Sequence, residues 1–482
     1  MTARFTDGRV PDPGIRRLFA PAGRWQRWLD VEAALALSEA ELGVIPSASG
    51  AAIAAAATFD RLDIDRVARG IAATSHPLMA LVRELSREAG DDHGGWVHWG
   101  ATSQNITQTG DLLVIRDAHI LLLGLLSDVL RAAGDLAERG ADMVAPGRTH
   151  GQHAVPITFG FKVAAWIDEL CRSADRLRQV EPRLFTAMLG GAVGTFASLG
   201  DVGPAVQAQV AERLALRSMI VPSRATADAF AEYVCLLAVL AGSVGRIARE
   251  IYAMMSTELG EAAESAPTTT VGSSTMPHKK NPQLTDNCIA ISAQVRALAP
   301  LALEAMLQDH EVSGAYTEMM EDAVEQAAVL SGDLLTRMRM ILSGLQLDRK
   351  RMRHNLTLTG GLISSEAVML ALGTVIGRQQ AHEVVRQAAR QVHPGLPFGE
   401  TLRRDHRVTD HLTAEELDQL LDPLRHVGQS AEIARASAIR AAAVAEEIDT
   451  RRRDGAARNG HAAPSVVKAR ADLADAEVVA PI

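Results

Sequence analysis

Gly272-Ser273-Ser274-Thr275-Met276-Pro277-His278-Lys279-Lys280-Asn281-Pro282 is the stretch on which the reading of this chain turns. It sets serine hydroxyls, an imidazole and two lysines between a glycine and an Asn-Pro pair. Asn281 and Pro282 suit a helix N-cap and first helical position, because an Asn side chain accepts an orphan backbone N–H and proline has none to orphan. Beyond them Leu284, Cys288, Ile291, Val295 and Leu298 recur at helical spacing. The lysines therefore sit beside the positive end of a helix, where an anion is favoured. The stretch is predicted to be a carboxylate-handling loop. A lone Ser-Ser or Lys-Lys pair would more often be solvated surface.

Two further segments carry chemistry. In Val97-His98-Trp99-Gly100-Ala101-Thr102-Ser103-Gln104-Asn105, the Thr102 and Ser103 hydroxyls can offer neutral donors to a carboxylate; such a pair is more commonly a helix cap. In Gly147-Arg148-Thr149-His150-Gly151-Gln152-His153-Ala154-Val155-Pro156, an imidazole stands between a cation and an amide. His150 and His153 lie three apart, but no acidic or third His ligand follows at a recognisable metal spacing, so no metal is expected. His76, in Thr74-Ser75-His76-Pro77, is a weaker candidate, with a capping or surface role equally open.

The ordered Gly-Ser-Ser, Met-Pro, Lys and Asn-Pro resembles the signature loop of the fumarase/aspartase superfamily. These β-eliminating lyases include adenylosuccinate lyase, argininosuccinate lyase and 3-carboxy-cis,cis-muconate cycloisomerase. Trp25-Gln26-Arg27-Trp28-Leu29-Asp30-Val31-Glu32-Ala33-Ala34-Leu35 and Gly360-Gly361-Leu362-Ile363-Ser364-Ser365-Glu366-Ala367-Val368 extend the resemblance to roughly residues 15–445, nearest the cycloisomerase subgroup. It implies an all-α fold of three helical domains, whose long central bundle assembles into a tetrameric core with sites shared between subunits. It also implies roles. Ser273 would be the general base, Lys279 would stabilise the aci-carboxylate with help from Asn281, and His150 would protonate the leaving group or orient its partner. Arg148, Gln152, Thr102, Ser103, Arg224 and His76 complete the expected substrate contacts, with no cofactor.

Composition agrees with a helical chain. Hydrophobic residues make up 47% and aromatics only 4% of 482 residues, with many Ala and Leu, which favours helix over sheet. That length also exceeds one ordinary core, so several domains are expected. The seam Ile115, Ala118, Leu122, Leu125, Val129, Ala133 and Leu136, widened by Leu121, Leu123 and Leu126, predicts a helix over 112–137 apolar on much of its circumference. The expected units are 1–108, a central bundle over 109–354 that carries loop 272–282, a C-terminal helical region over 355–449, and a disordered tail over 450–482 in which Arg451-Arg452-Arg453 is solvated. A net charge of -9 argues against nucleic-acid and anionic-membrane partners. Tyr233–Gly245 is the most apolar helix candidate and is read as too short for a bilayer. Three widely spaced cysteines and no secretory h-region fit the cytoplasm.

The chain also departs from the resembled pattern. Ala227 stands where the cycloisomerase-like pattern carries arginine, and Val312 stands where arginine is common; Asn105 replaces a usual aspartate. Two cations for substrate carboxylates are thus missing, and Arg224 is the nearby candidate to replace one. The expected substrate is therefore a small substituted succinate that yields fumarate, such as nitrosuccinate releasing nitrite or an amino-succinate. The alternatives are a lactonising carboxymuconate cycloisomerase, an adenylosuccinate-type lyase and a silent structural relative. Retention of Ser273, Lys279, Asn281 and His150 disfavours the last.

Overall fold

A computed structural model describes residues 7–267 and 269–458. The architecture is all-α, with paired strands only in short ribbons. Five long helices, Ser103–Gly140, Phe159–Leu184, Asp228–Met254, Gln283–Glu304 and Gly314–Gly344, run up and down against one another. The reason lies in the first of them. Leu112, Leu113, Val114 and Ile115 are consecutive and all buried, which a helix achieves only with neighbours on every side. Glycines set the closest crossing: a Cβ on Gly160 would lie 2.6 Å from the Ala137 carbonyl, so the first two bundle helices meet backbone to backbone near Gly140.

The helical seam expected over 112–137 extends to 103–140, 38 residues and about 57 Å at 1.5 Å per residue. A domain boundary at 108 therefore falls inside one helix. The core around Pro21–Glu41 draws Ile106 and Leu113 from that helix, and Val206, Val210 and Leu214 from a segment far downstream. At the other end of the chain, Gly360 (φ 60°) and Gly361 (φ 95°) make the expected break, and Val368, Leu372, Val384, Phe398 and Leu417 form a separate small core. The last helix, Ser430–Arg458, leaves that region and packs along the bundle: Ala441, Ala445 and Ile448 belong to the central core.

Two expectations about the tail and one about the apolar helix are corrected here. Residues 450–458 continue the last helix, while 459–482 lie outside the described residues. Within the arginine run, Arg452 is 11% exposed, pairs with Asp449 at 3.2 Å and lies over Gly124, whose missing side chain makes the space. The apolar helix covers 27 residues, Asp228–Met254, which is long and apolar enough on composition to cross a bilayer. Val234, Leu237, Ala241, Val244, Ile247 and Ile251 are instead buried in the bundle core.

Chain direction then distributes the candidate residues. Ser103 begins the first bundle helix, and the ribbon Val144–Thr149 and Gln152–Thr158 follows its far end. The helix Gln283–Glu304, and with it the loop 272–282, starts at that same far end, where Glu261 meets Arg148. Thr102, Ser103 and Arg224 therefore occupy one end of the bundle; His150, Ser273 and Lys279 occupy the other.

Candidate active site

At the loop end, 272–282 closes on itself. The Asn281 Nδ2 donates to the Gly272 carbonyl at 2.5 Å, and a Cβ on Gly272 would collide with the Lys279 carbonyl. Gly272 and Asn281 thus form the neck of a compact loop. Asn281 is not the N-cap expected from its Asn-Pro pair. Glu264 takes that role, its carboxylate accepting from Leu284 N at 3.1 Å and Thr285 N at 3.0 Å. Arg9 lies 3.3 Å from the same carboxylate. The positive end of this helix is therefore answered by the protein's own anion, and the expectation that it faces substrate is corrected.

Inside the loop, Ser273 Oγ accepts the Met276 N–H at 3.0 Å and, more weakly, the Thr275 N–H at 3.4 Å. Donors aimed at that oxygen favour its ionised form more than its neutral one. Lys279 and Lys280 are exposed and make no ion pair among the described residues. An ammonium with no carboxylate of its own is available to an anion arriving from outside.

His150 and Gly151 form the two-residue turn of the ribbon with φ 52° and 75°. Positive φ at both central positions is the turn that matches strand twist, which explains a glycine at the second. His150 and Gln152 are consequently presented to solvent at the tip. Arg148 is not: its guanidinium forks onto Glu261, with bonds of 2.9 and 2.5 Å, and Asn355 adds a third at 2.7 Å. Glu261 is fully buried, so Arg148 anchors the ribbon rather than offering a free cation to substrate. Among the described residues, no group of three or more His, Cys, Asp or Glu side chains is gathered as for a metal.

The hydroxyl end is more tightly tied. Thr102 caps the first bundle helix in a capping box with Asn105, whose Oδ1 accepts from Thr102 N and Gly191 N at 3.1 Å each. Asn105 is fully buried and thereby fixes the preceding turn to the loop near 191. His76 Nδ1 accepts from Leu78 N and Met79 N, leaving the Nε2 proton for Ser103 Oγ at 3.3 Å. His76 both caps a helix and orients Ser103. Arg224 donates from Nε to Gln104 Oε1 at 2.8 Å and from Nη1 to the Ala192 carbonyl at 2.6 Å. Its partners are neutral, and burial lowers its affinity for a proton.

The sequence matches two family models. One, described as Lyase, covers residues 8–297; the other, described as Adenylosuccinate lyase C-terminus, covers 361–436. The chain belongs to the fumarase/aspartase superfamily. It is 39% identical over 421 residues to a 3-carboxy-cis,cis-muconate cycloisomerase of Pseudomonas aeruginosa, covering 86% of this chain and 92% of that one. It is 33% identical over 419 residues to an N-acetyl-S-(2-succino)cysteine lyase of Dickeya dadantii, covering 87% and 92%. Its fold superposes on a fumarate lyase from Mesorhizobium sp. BNC1 with a TM-score of 0.83 at 35% identity, over 89% of this chain and 97% of that one. The protein is thus a lyase of this superfamily, near the cycloisomerase subgroup.

One residue of this superfamily member was not singled out from sequence. His98, with φ 65° just before the Thr102-Ser103 turn, places Nδ1 2.7 Å from Oε1 of the buried Glu32. Burial opposes its charge, but the hydrogen bond and charge of Glu32 outweigh it and raise the imidazole above its ordinary value. The pair Glu32 and Glu39, seven residues apart among Leu29, Leu35 and Ala36 of one helix, was the available signal. Glu39, fully buried with neither carboxylate oxygen hydrogen-bonded, is pushed up to about 8 by burial and then by Glu32.

Proposed function

We propose that this lyase forms fumarate from a small substituted succinate, with Ser273 removing the proton next to a carboxylate. Nitrosuccinate, which would release nitrite, is the first substrate to test. The observation that carries the reading is the closed loop in which Ser273 Oγ receives the Met276 N–H at 3.0 Å while Lys279 has no anionic partner among the described residues. Proton removal creates an aci-carboxylate with added negative charge, and a cation that meets it lowers the barrier more than it favours substrate binding. His150, at an exposed tip, is proposed to handle the leaving group, since an imidazole exchanges protons near neutrality. Thr102, Ser103 and Arg224 would hold the other carboxylate.

These groups lie at opposite ends of a helix of about 57 Å. We therefore propose that one site is completed by different copies of the chain in a homotetramer. Val239 and Leu303 on the bundle helices, and Leu307 just past the end of Gln283–Glu304, each at least 47% exposed, supply apolar surface for such an assembly. The free cysteines Cys171, Cys235 and Cys288 suit the proposed cytoplasmic setting.

A panel of substituted succinates together with 3-carboxymuconate tests the reading, followed by fumarate absorbance and mass spectrometry. Nitrosuccinate should yield nitrite and fumarate in equal amounts. The second reading, a lactonising cycloisomerase, is supported by the 39% identity to the P. aeruginosa enzyme. Lactone from carboxymuconate, with no fumarate from any succinate, would decide for it.

A further inference from the structure

A cavity of about 60 Å3 opens beside Gln104, between the starts of the helices Ser103–Gly140, Asp228–Met254 and Gly314–Gly344. Its lining carries charges of both signs. Arg224, with neutral partners, lines it together with Ala227, whose methyl leaves space. Asp111 lines it too, its Oδ1 accepting from Trp28 Nε1 at 2.9 Å and lying 3.2 Å from Arg24. Arg24 is shared with Glu325 at 3.0 Å, so one guanidinium answers two carboxylates. Glu321, at the rim, makes no ion pair among the described residues. Asp111, Glu321 and Glu325 together outnumber Arg24, the one cation among the described residues that pairs with any of them.

The ionisation of the two acids follows from the same placement. Burial pushes Asp111 up to about 6, against the opposing charge of Arg24, and Glu321 is pushed up to about 7 by burial and then by Asp111. Above pH 7 most of both is ionised. Phe19, Phe230 and Met320 wall the same space, which limits the water able to screen a charge placed there.

We propose that Asp111 and Glu321 are specificity-determining residues that admit neutral or cationic leaving substituents to this cavity and turn anionic ones away. The proposal rests on the binding role given to Arg224 above and adds the chemical class of the substituent. A succinate whose carboxylate sits on Arg224 directs its substituent across the cavity toward two carboxylates. A nitro or amino group meets no like charge there; a further carboxylate meets two. Discrimination thus comes from repulsion of the wrong ligand as well as attraction of the right one.

The test is competitive binding at pH 8, with succinate and propane-1,2,3-tricarboxylate as probes differing by one carboxylate, on the full-length protein and on Glu321→Gln and Asp111→Asn. The unaltered protein should bind the tricarboxylate at least about tenfold more weakly than succinate, and either substitution should narrow that ratio by about threefold to tenfold. Asp111→Asn disturbs the Trp28 and Arg24 contacts and can impair folding, so Glu321→Gln, with circular dichroism unchanged, is the deciding variant. An unmoved ratio in that variant overturns the proposal. Equal affinity for both probes, or affinity for neither, in the unaltered protein also overturns it. If the ratio narrows while no succinate is converted to fumarate, the proposed reaction fails and the charge selection stands. If fumarate forms and the ratio does not move, only the charge selection fails.

Discussion

The two ends of the bundle solve opposite problems. At the hydroxyl end, Thr102 is tied by Asn105, Ser103 by His76 and Arg224 by Gln104, all within one chain. At the loop end, Ser273 is fixed only by its own loop, and His150 and Lys279 stand in solvent. One end holds its hydroxyls and guanidinium rigidly; the other presents a hydroxyl, an imidazole and an ammonium on a ribbon tip and a closed loop. Rigid placement keeps a binding group in register, whereas a loop can exclude water when it closes over the reacting atoms.

The largest test of this contrast is Ser273→Ala. Loss of a general base should lower turnover by about 10²–10⁴-fold, with the melting temperature unchanged because the side chain supports only its own loop. Normal turnover would remove Ser273 from the mechanism. Mixing this variant with Arg224→Gln, altered at the opposite end, should recover activity that neither has alone. Recovery absent from a confirmed mixed oligomer would mean that the two ends do not meet across chains.

Arg224→Gln by itself should act mainly on substrate capture. A charge-assisted contact is worth about 1.5–3 kcal/mol, so kcat/KM for the substituted succinate should fall on the order of tenfold to a hundredfold. An unchanged kcat/KM would leave the missing family arginine unreplaced. Stability should separate the ends in a different way. Asn105→Ala orphans the buried Thr102 and Gly191 N–H groups and should cost about 1–3 kcal/mol in denaturant unfolding. Asn281→Ala, on an exposed neck, should cost less than about 0.5 kcal/mol yet lower turnover. Equal losses of stability would erase the distinction.

The most gradual expected effect is a pH slope at the hydroxyl end. A carboxyl raised to about 8 in the fold binds its proton more tightly there than when unfolded. Its favourable contribution is complete below the ordinary carboxylate value and is lost as pH rises through about 8. His98, also raised, has the same sign: its contribution is present below the ordinary imidazole value and disappears above the folded one. Stability should therefore decline between about pH 5 and pH 8, by at most about 1.4 kcal/mol per pH unit for Glu39. Glu39→Gln should flatten this decline, and an equally steep profile in that variant would exclude Glu39 as its source.

Local rules carried the helices because their cause is local. Apolar spacing placed the helices around 112–137 and 284–298, and Gly360-Gly361 marked a break where both residues adopt positive φ. The same rules missed the cap at 283. Asn281 has the right chemistry for that position, but its amide is engaged across the loop neck while Glu264, far enough back to lie in another segment, reaches the free N–H groups. Arg148 was legible as a cation near the site and not as the partner of Glu261, because the pair is separated by 113 residues.

The sequence by itself determined that this protein is helical and that it carries the superfamily loop. Composition, periodicity and motif order act along the chain and need no knowledge of neighbours. Only the tertiary structure decided which charges are already engaged, with Glu261 for Arg148 and with Glu264 for the helix start, and which remain open, as for Lys279. It also decided that Ser103 and Ser273 lie at opposite ends of the bundle. Pairing and distance depend on how remote segments pack, and a charge answered by a buried partner is no longer available to a ligand.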